Sequence, residues 1–464
     1  MTRTIAPLAA AVVALFVGAC AVGPRYVAPH PAVSDTWLAA PAPGAVDPAW
    51  WTGFGDAQLT ALIDAAVAGS PDLRAADARL AEARAGRDTV RGGAGPQGGA
   101  SAAYSRNRLS ENGQLPISRI PGVSPEVSLF DAGFDASWEV DLWGRNRRAI
   151  EAAGDRVQAA EAARRDVLLR LRAEVARQYF QLRAAQANVD SARADASAQR
   201  QEADLVAARF RGGEASRFDL HRAEAQARAT ASAIPALEGD ERAAAYAVAR
   251  LVGRPPEALA GQLLVHAPIP GPPDLLAAGL RSDILRRRPD IVQAERTLAA
   301  ATADVAVATA DLFPRLMLSG TLGQQSQSLG DLALAGSNRF SAGPTVRWPI
   351  LQRGAIRAQI RAAGARADAA SAVYETAVLG ALADSETALD RFARAGAGLA
   401  EAKAGDAAAQ GALTLARQRY QAGEDDLLAL LTAESAAAAA DRRLTDARLA
   451  RAVGAVAAYK ALGL

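Results

Sequence analysis

The sequence predicts a mainly α-helical membrane protein, built as a duplication, whose two halves together supply four strands to a β-barrel. Three observations lead there. The first is strict alternation: Phe130, Ala132, Phe134, Ala136, Trp138 and Val140 share one parity, with Asp131, Gly133, Asp135, Ser137 and Glu139 between them. Such a pattern puts apolar side chains on one face of a strand and polar ones on the other. The same pattern returns 210 residues later as Phe340, Ala342, Pro344, Val346, Trp348 and Ile350, around Ser341, Gly343, Thr345 and Arg347. The second is a proline-free stretch, 145–209, rich in Ala, Arg, Glu and Gln with Leu and Val at helical spacing, repeated over 355–421. The third is that no run of 18 apolar residues follows the N-terminal segment, so no transmembrane helix is available. A membrane-embedded chain without such helices must close a barrel, because unpaired backbone groups cannot be left in hydrocarbon.

The elements follow in order. Arg3 supplies a positive n-region, and Ile5 to Val17 form an apolar stretch too short to span a bilayer, so residues 1–19 read as a signal peptide. The stretch ends in Val17-Gly18-Ala19-Cys20, which resembles a bacterial lipobox; the alternative is an ordinary signal peptide with a chance cysteine. Cys20, the only cysteine, would carry acyl chains, two or three of which hold a protein firmly at a membrane. Ala21 stands where inner-membrane retention would require aspartate, so by resemblance the destination is the outer membrane. Residues 20–48 are Pro/Ala-rich and predict an extended, lipid-anchored tether.

The first repeat, 49–265, opens on Trp50-Trp51-Thr52-Gly53-Phe54, and Ser70-Pro71-Asp72 reads as an N-cap with proline at the first helical position. Strands are expected at 97–107 and 127–140, joined by the turn-rich loop Asn112 to Pro125. A helix of about 65 residues, roughly 100 Å at 1.5 Å per residue, then ends at Gly212-Gly213. A second helix runs from about Ser216 to Leu251, with Pro235 predicting a kink or an interruption. Gly253 to Pro273 is a Pro/Gly-rich crossover. The second repeat, 266–464, gives a helix at 290–312, strands at 314–326 and 339–350, a long helix at 355–421, a break at Gly423 and a last helix at 425–461. Pro71-Asp72 recurs as Pro289-Asp290 and Pro96 as Pro314 at an offset of 218. Arg209-Phe210 and Gly213-Glu214 recur as Arg419-Tyr420 and Gly423-Glu424 at 210, so the first-half loop between paired strands is the longer one.

Charge excludes some functions. With 52 basic and 50 acidic residues the net charge is +2, which argues against a nucleic-acid surface. His30, His221 and His266 lack metal-ligand spacing, no glycine-rich loop precedes a helix in phosphate-binding form, and no Ser/His/Asp order resembles a triad. No cofactor other than the lipid on Cys20 is expected, and no catalysis. Arg286-Arg287-Arg288 reads as a phosphate site or as a solvated, salt-bridged turn beside Pro289-Asp290. Helices this long cannot wrap a globular core; the rod alternative, a soluble coiled coil, leaves the strands unexplained. The smallest membrane barrels have about eight strands, so four per chain require oligomerisation, and three chains would give twelve.

These residues resemble the TolC-like outer-membrane factors, in particular their NodT-type efflux lipoprotein branch, over nearly all of 20–464. The resemblance rests on Trp50-Trp51 with Phe54 and Asp56, on Trp138 to Arg145, on Leu285 to Ile291, on Asp311-Leu312-Phe313-Pro314 and on Tyr459 to Gly463, in that order. It implies a homotrimer with a twelve-stranded barrel in the outer membrane and a long α-helical barrel across the periplasm. It also implies a periplasmic adaptor and an inner-membrane pump, of RND type, as partners. The expected function is the exit duct of a tripartite efflux pump for small molecules such as drugs. A type I protein-secretion duct shares the fold, and a lipid-anchored periplasmic scaffold that conducts nothing is the different-class alternative.

Gly213 and Gly423 turn the chain between helices, at what the family implies is the periplasmic tip. There the family builds a gate from a leucine, an acid four residues on and an arginine three beyond; these positions are Leu428, Thr432 and Ser435. The leucine is kept and the charged pair is not. The family's acid opposite Tyr420 is replaced by Arg211, leaving Glu424, Asp425 and Asp426, with Glu214 and Asp219, as the local acids. Those carboxylates read either as compensation of helix N-terminal dipoles or as pore lining. Trp138 and Trp348 read either as a membrane-interface girdle or as packing at the base of the barrel.

Overall fold

A computed structural model describes residues 21–31, 34, 36–39, 44, 47–110 and 124–464. Cys20 and the signal segment 1–19 lie outside the described residues, as does most of the first hairpin loop, 111–123.

Capping and glycine set the helix boundaries. α1 (Ala57–Gly69) starts at Asp56, whose carboxylate accepts from the Leu59 amide. α2 (Pro71–Gly93) starts on proline, whose missing N–H would be unpaired there in any case. α3 (Arg145–Arg211) has 67 residues and stops before Gly213, whose φ of 79° needs no Cβ-bearing side chain. α4 (Arg217–Val252) opens with a reciprocal capping box between Ser216 and Asp219. It is a single helix through Pro235, so the interruption allowed by the sequence does not occur; one missing N–H bond does not outweigh 36 residues of helix. The crossover, expected to be irregular, contains α5 (Glu257–Leu263), which buries Leu259 and Leu263. Seven residues between prolines are too few to show a period. α6 (Pro289–Ala310), α7 (Arg353–Ala422, 70 residues) and α8 (Leu427–Ala461) complete the longer helices, with a single helical turn at Ile284–Arg287 before α6.

The strands are β1 (Gln97–Arg108), β2 (Glu126–Val140), β3 (Arg315–Ser326) and β4 (Asn338–Arg347), in one antiparallel sheet ordered β1-β2-β3-β4. Each half gives one hairpin, and the halves join where Ala132 faces Gln324 and Trp138 faces Leu318. β4 ends three residues before the expected Ile350. The apolar alternation continues through Trp348 and Ile350, but Pro349 has no N–H for the ladder, and the chain turns there into Ile350–Gln352 before α7.

The chain divides into two compact units, to both of which α3 and α7 contribute residues. One comprises Met1–Pro29, Leu80–Ala160 and Ala294–Tyr374; the other His30–Arg79, Glu161–Gln293 and Glu375–Leu464. The first holds the sheet. At its helical side Trp143 stacks on Phe313 with centroids 4.7 Å apart and donates Nε1–H to the Pro314 carbonyl at 2.8 Å, while Arg145 pairs with Asp311 at 3.1 Å. The second is organised around Trp50, stacked on Tyr459 at 5.1 Å, and Tyr179, whose hydroxyl donates to Asp56 at 2.7 Å.

The segment expected as an extended tether is docked where it is described. In the first unit Val22 N–H bonds the Trp143 carbonyl, and Tyr26 donates to Glu295 with Arg296 over its ring. Gly23, at φ 90°, lies so close to α6 that a Cβ would sit 2.6 Å from Ala306 Cα. In the second unit Trp37 donates to the Gly279 carbonyl, and the Leu38 and Ala39 amides bond Glu386. Proline and alanine give the strap its extended form; the few aromatic residues between them fix it.

Candidate functional site

Two surfaces stand out, one in each unit. In the first, the register places every even-numbered residue of the four strands on one face. Tyr104, Phe134, Trp138, Leu318, Leu322, Phe340 and Val346 all lie there, and all are exposed. The opposite face carries Asp131, Asp135, Glu139, Arg315, Arg339 and Arg347, with Arg339 bonded to Asp131 at 2.6 Å and Gln325 to Asp131 at 2.9 Å. An apolar exposed face backed by a polar one is the two-sided pattern of a strand between lipid and water. Among the described residues, β1 and β4 each leave one edge unpaired.

Trp138 and Trp348 lie where this sheet meets the helices. Trp138 donates Nε1–H to the Ala94 carbonyl at 3.3 Å and Trp348 to that of Leu312 at 3.1 Å, with Arg353 over the Trp348 ring. Both rings remain exposed, so the features of a girdle and of an anchored base coexist.

The second surface lies at the turns α3–α4 and α7–α8. The two turns are the same structure repeated: Glu214 N–H bonds the Arg209 carbonyl as Glu424 N–H bonds that of Arg419, with Gly213 and Gly423 at φ 79° and 76°. These six-to-one closures satisfy carbonyls that a helix end leaves free. Below them a core of Val206, Ala223, Leu413, Tyr420, Leu427 and Leu430 locks the four helices together. Leu428 points away from that core and is 48% exposed. Thr432 turns its hydroxyl onto the Leu428 carbonyl at 2.7 Å, within its own helix, and Ser435 is exposed.

The cation facing Tyr420 is not Arg211. Arg209 covers the Tyr420 ring at 5.0 Å, while Arg211, two residues on and so displaced around the helix, is exposed and donates to the Ala207 carbonyl. Burial raises the Tyr420 hydroxyl pKa. The local acids divide between roles: Asp426 caps α8 by accepting from the Ala429 amide at 2.8 Å, whereas Asp425 and Glu424 pair with Arg419 at 3.0 and 3.8 Å. The arginine triplet is salt-bridged: Arg286 and Arg287 to Asp283, Arg288 to Asp290 and Asp384.

One cluster was missed in the sequence. Glu202 of α3 and Glu434 of α8 meet in a cavity of about 370 Å³ that Arg417 and Tyr420 of α7 also line. Glu434 is 6% exposed and accepts from Arg417 at 3.2 Å. Glu202 Oε1 and Glu434 Oε2 are buried without a donor. Burial first, then the Glu434 charge, pushes the Glu202 carboxyl up to about 8. The available signal was Glu434 standing in the buried stripe Leu427, Leu430, Glu434, Ala437, where an apolar residue belongs.

Comparison with known proteins gives a consistent result. The family model described as outer membrane efflux protein matches residues 62–254 and 280–464. The pyoverdine export outer membrane protein OpmQ of Pseudomonas aeruginosa is 32% identical, over 93% of this chain and 93% of its own. Nodulation protein T of Rhizobium leguminosarum bv. trifolii is 29% identical, over 95% and 92%. Among solved structures, the outer-membrane channel OprN superposes with a TM-score of 0.87 at 34% identity, covering 96% of this chain and 99% of its own. The open-state MtrE outer membrane channel of Neisseria gonorrhoeae gives 0.84 at 28%, covering 96% and 98%.

Proposed function

We infer function from one premise: this chain belongs to the outer membrane efflux protein family. It is an outer-membrane channel, the exit duct of a tripartite efflux pump, and it extends from the outer membrane into the periplasm. The observation that carries this is the four-stranded sheet with a broad, exposed apolar band on one face and a charged opposite face. A soluble protein would cover such a face; a membrane barrel needs it bare.

From that function we propose the assembly and the moving part. Three chains join β1 of one to β4 of the next, closing twelve strands and leaving no unpaired edge in lipid. Acyl chains on Cys20 hold the assembly to the membrane. A periplasmic adaptor and an RND-type inner-membrane pump deliver the cargo to the helical turns. Relatives named for pyoverdine export and for toluene efflux support reading that cargo as small molecules. Leu428, exposed beside a packed core, forms the constriction there, with the exposed acids around it. Relatives in this family are channels, and we read this chain as non-enzymatic.

The test is the purified, detergent-solubilised protein. A trimer by native mass that conducts ions in a planar bilayer once its turns are loosened supports the reading; a monomer without conductance refutes it.

A further inference from the structure

We propose that Glu202 and Glu434 share a single proton that holds the helical turns closed, so that the duct loosens as its surroundings become alkaline. The pair joins α3 to α8 beneath the turns, and one guanidinium serves both carboxyls. Arg417 reaches Glu434 Oε1 at 3.2 Å, leaving Glu202 Oε1 and Glu434 Oε2 buried with no donor. Two buried carboxylates against one cation would leave an uncompensated charge, which proteins avoid by retaining a proton on one of them. The O–H of Glu202 then donates to Glu434, whose other oxygen accepts from Arg417.

The neighbouring groups do not replace that proton. On α3, Asp195 adds negative charge and Arg209 is engaged over the Tyr420 ring. On α7 the cations and hydroxyl are Arg417 and Tyr420 themselves. On α8, Asp441 accepts from Ser191, and Arg442 faces Asp195, whose carboxyl pKa it lowers. From α4, Asp219 acts on Tyr420 and is bound in its own capping box.

The sign of the pH effect follows. An exposed glutamate titrates near 4.5, whereas here burial and the neighbouring carboxylate push Glu202 up to about 8. The closing contribution is therefore complete below about 4.5, declines as pH rises between the two values, and is lost above about 8. Each unit of separation is a tenfold change in the opening equilibrium, so a rise of at least about tenfold in resting conductance is expected across that window.

The conductance consequence rests on the channel reading; the shared proton does not, and the two are tested separately. Infrared spectra of the purified protein, as the difference between wild type and Glu202→Gln, should contain a protonated-carboxyl band at about pH 6 that disappears above about pH 9. In Glu434→Gln the remaining carboxyl, relieved of its like-charged neighbour, should titrate at lower pH. In planar bilayers wild-type conductance should rise with pH, while Glu202→Gln, whose amide donates at every pH, should stay closed throughout. No carboxyl band at about pH 6, or a band unmoved in Glu434→Gln, overturns the shared proton. A titrating band with pH-independent conductance overturns its role in closing. A titrating band in a protein that never conducts, even with Leu428 trimmed to alanine, refutes the channel reading and with it that role.

Discussion

Trp348 donates its indole N–H to the Leu312 carbonyl at 3.1 Å, and in the first half Trp138 does the same to Ala94 at 3.3 Å. The donors are 210 residues apart and the acceptors 218, the same offsets that relate the two repeats on either side of the hairpin. The duplication has thus preserved a contact as well as a pattern. Each tryptophan ties the end of the second strand of its hairpin to the residues just before the first, where the chain passes from sheet to helix. The strands enter the sheet at fixed points, and the register follows from them.

Replacing either tryptophan by phenylalanine keeps the ring and removes the bond. Trp138→Phe and Trp348→Phe should each destabilise by about 1 kcal/mol, the net worth of one hydrogen bond. The double variant should lose about the sum, because the bonds share no partner. Thermal dissociation of the purified oligomer, followed by gel mobility, measures this; an unchanged midpoint in both variants would show that the bonds carry no stability.

The two faces of the sheet should respond oppositely to charge. Phe340 is 84% exposed on the apolar face, and its neighbour Ser341 lies on the polar face. Phe340→Lys should cost about 2–4 kcal/mol if the residue lies near the bilayer midplane and lower the amount of assembled protein in outer-membrane fractions. Ser341→Lys should leave that amount unchanged. Equal loss in both would mean that the apolar face does not meet lipid.

Periodicity made the sheet and the long helices legible, because period-two and helical patterns persisted over many residues with glycine or proline at their ends. It misjudged β4, where Trp348 and Ile350 continued the alternation and only the missing N–H of Pro349 ended the ladder. It overlooked α5, too short to show a period. At the turns, the local sequence marked Gly213 and Gly423, since a glycine break is a feature of one segment, and the family resemblance pointed to Leu428. Arg209 over Tyr420, and Glu202 against Glu434, join residues of different helices, and no local pattern records which helices will meet.

The mature protein is expected to begin at Cys20 with acyl chains on it. Mass spectrometry of the purified N-terminus should find the lipid mass, and Cys20→Ser should remove it. The docked strap, with Val22 bonded to Trp143 and Tyr26 to Glu295, supplies protein contacts for the same segment. Cys20→Ser should accordingly weaken membrane retention more than it weakens folding. An unmodified N-terminus at another residue would refute the lipid anchor.

The last prediction concerns how the turns stay shut. Leu428 is 48% exposed, directly beside the buried Leu427 and two residues before the buried Leu430. Three such leucines around an axis can close a narrow pore by excluding water. Thr432 already spends its hydroxyl on the Leu428 carbonyl, and the exposed pairs of Arg419 with Asp425 and Glu424 are of a kind worth only about 0–1 kcal/mol each. Closure by packing should depend little on ionic strength, since screening acts on exposed charges and not on apolar contact. Leu428→Ala should therefore raise resting conductance and sensitise cells to large antibiotics such as vancomycin, while Thr432→Ala should change neither. If salt alone opened the wild type, or Thr432→Ala opened it as far as Leu428→Ala, ion pairs or the threonine would be the latch, and the leucine ring would not.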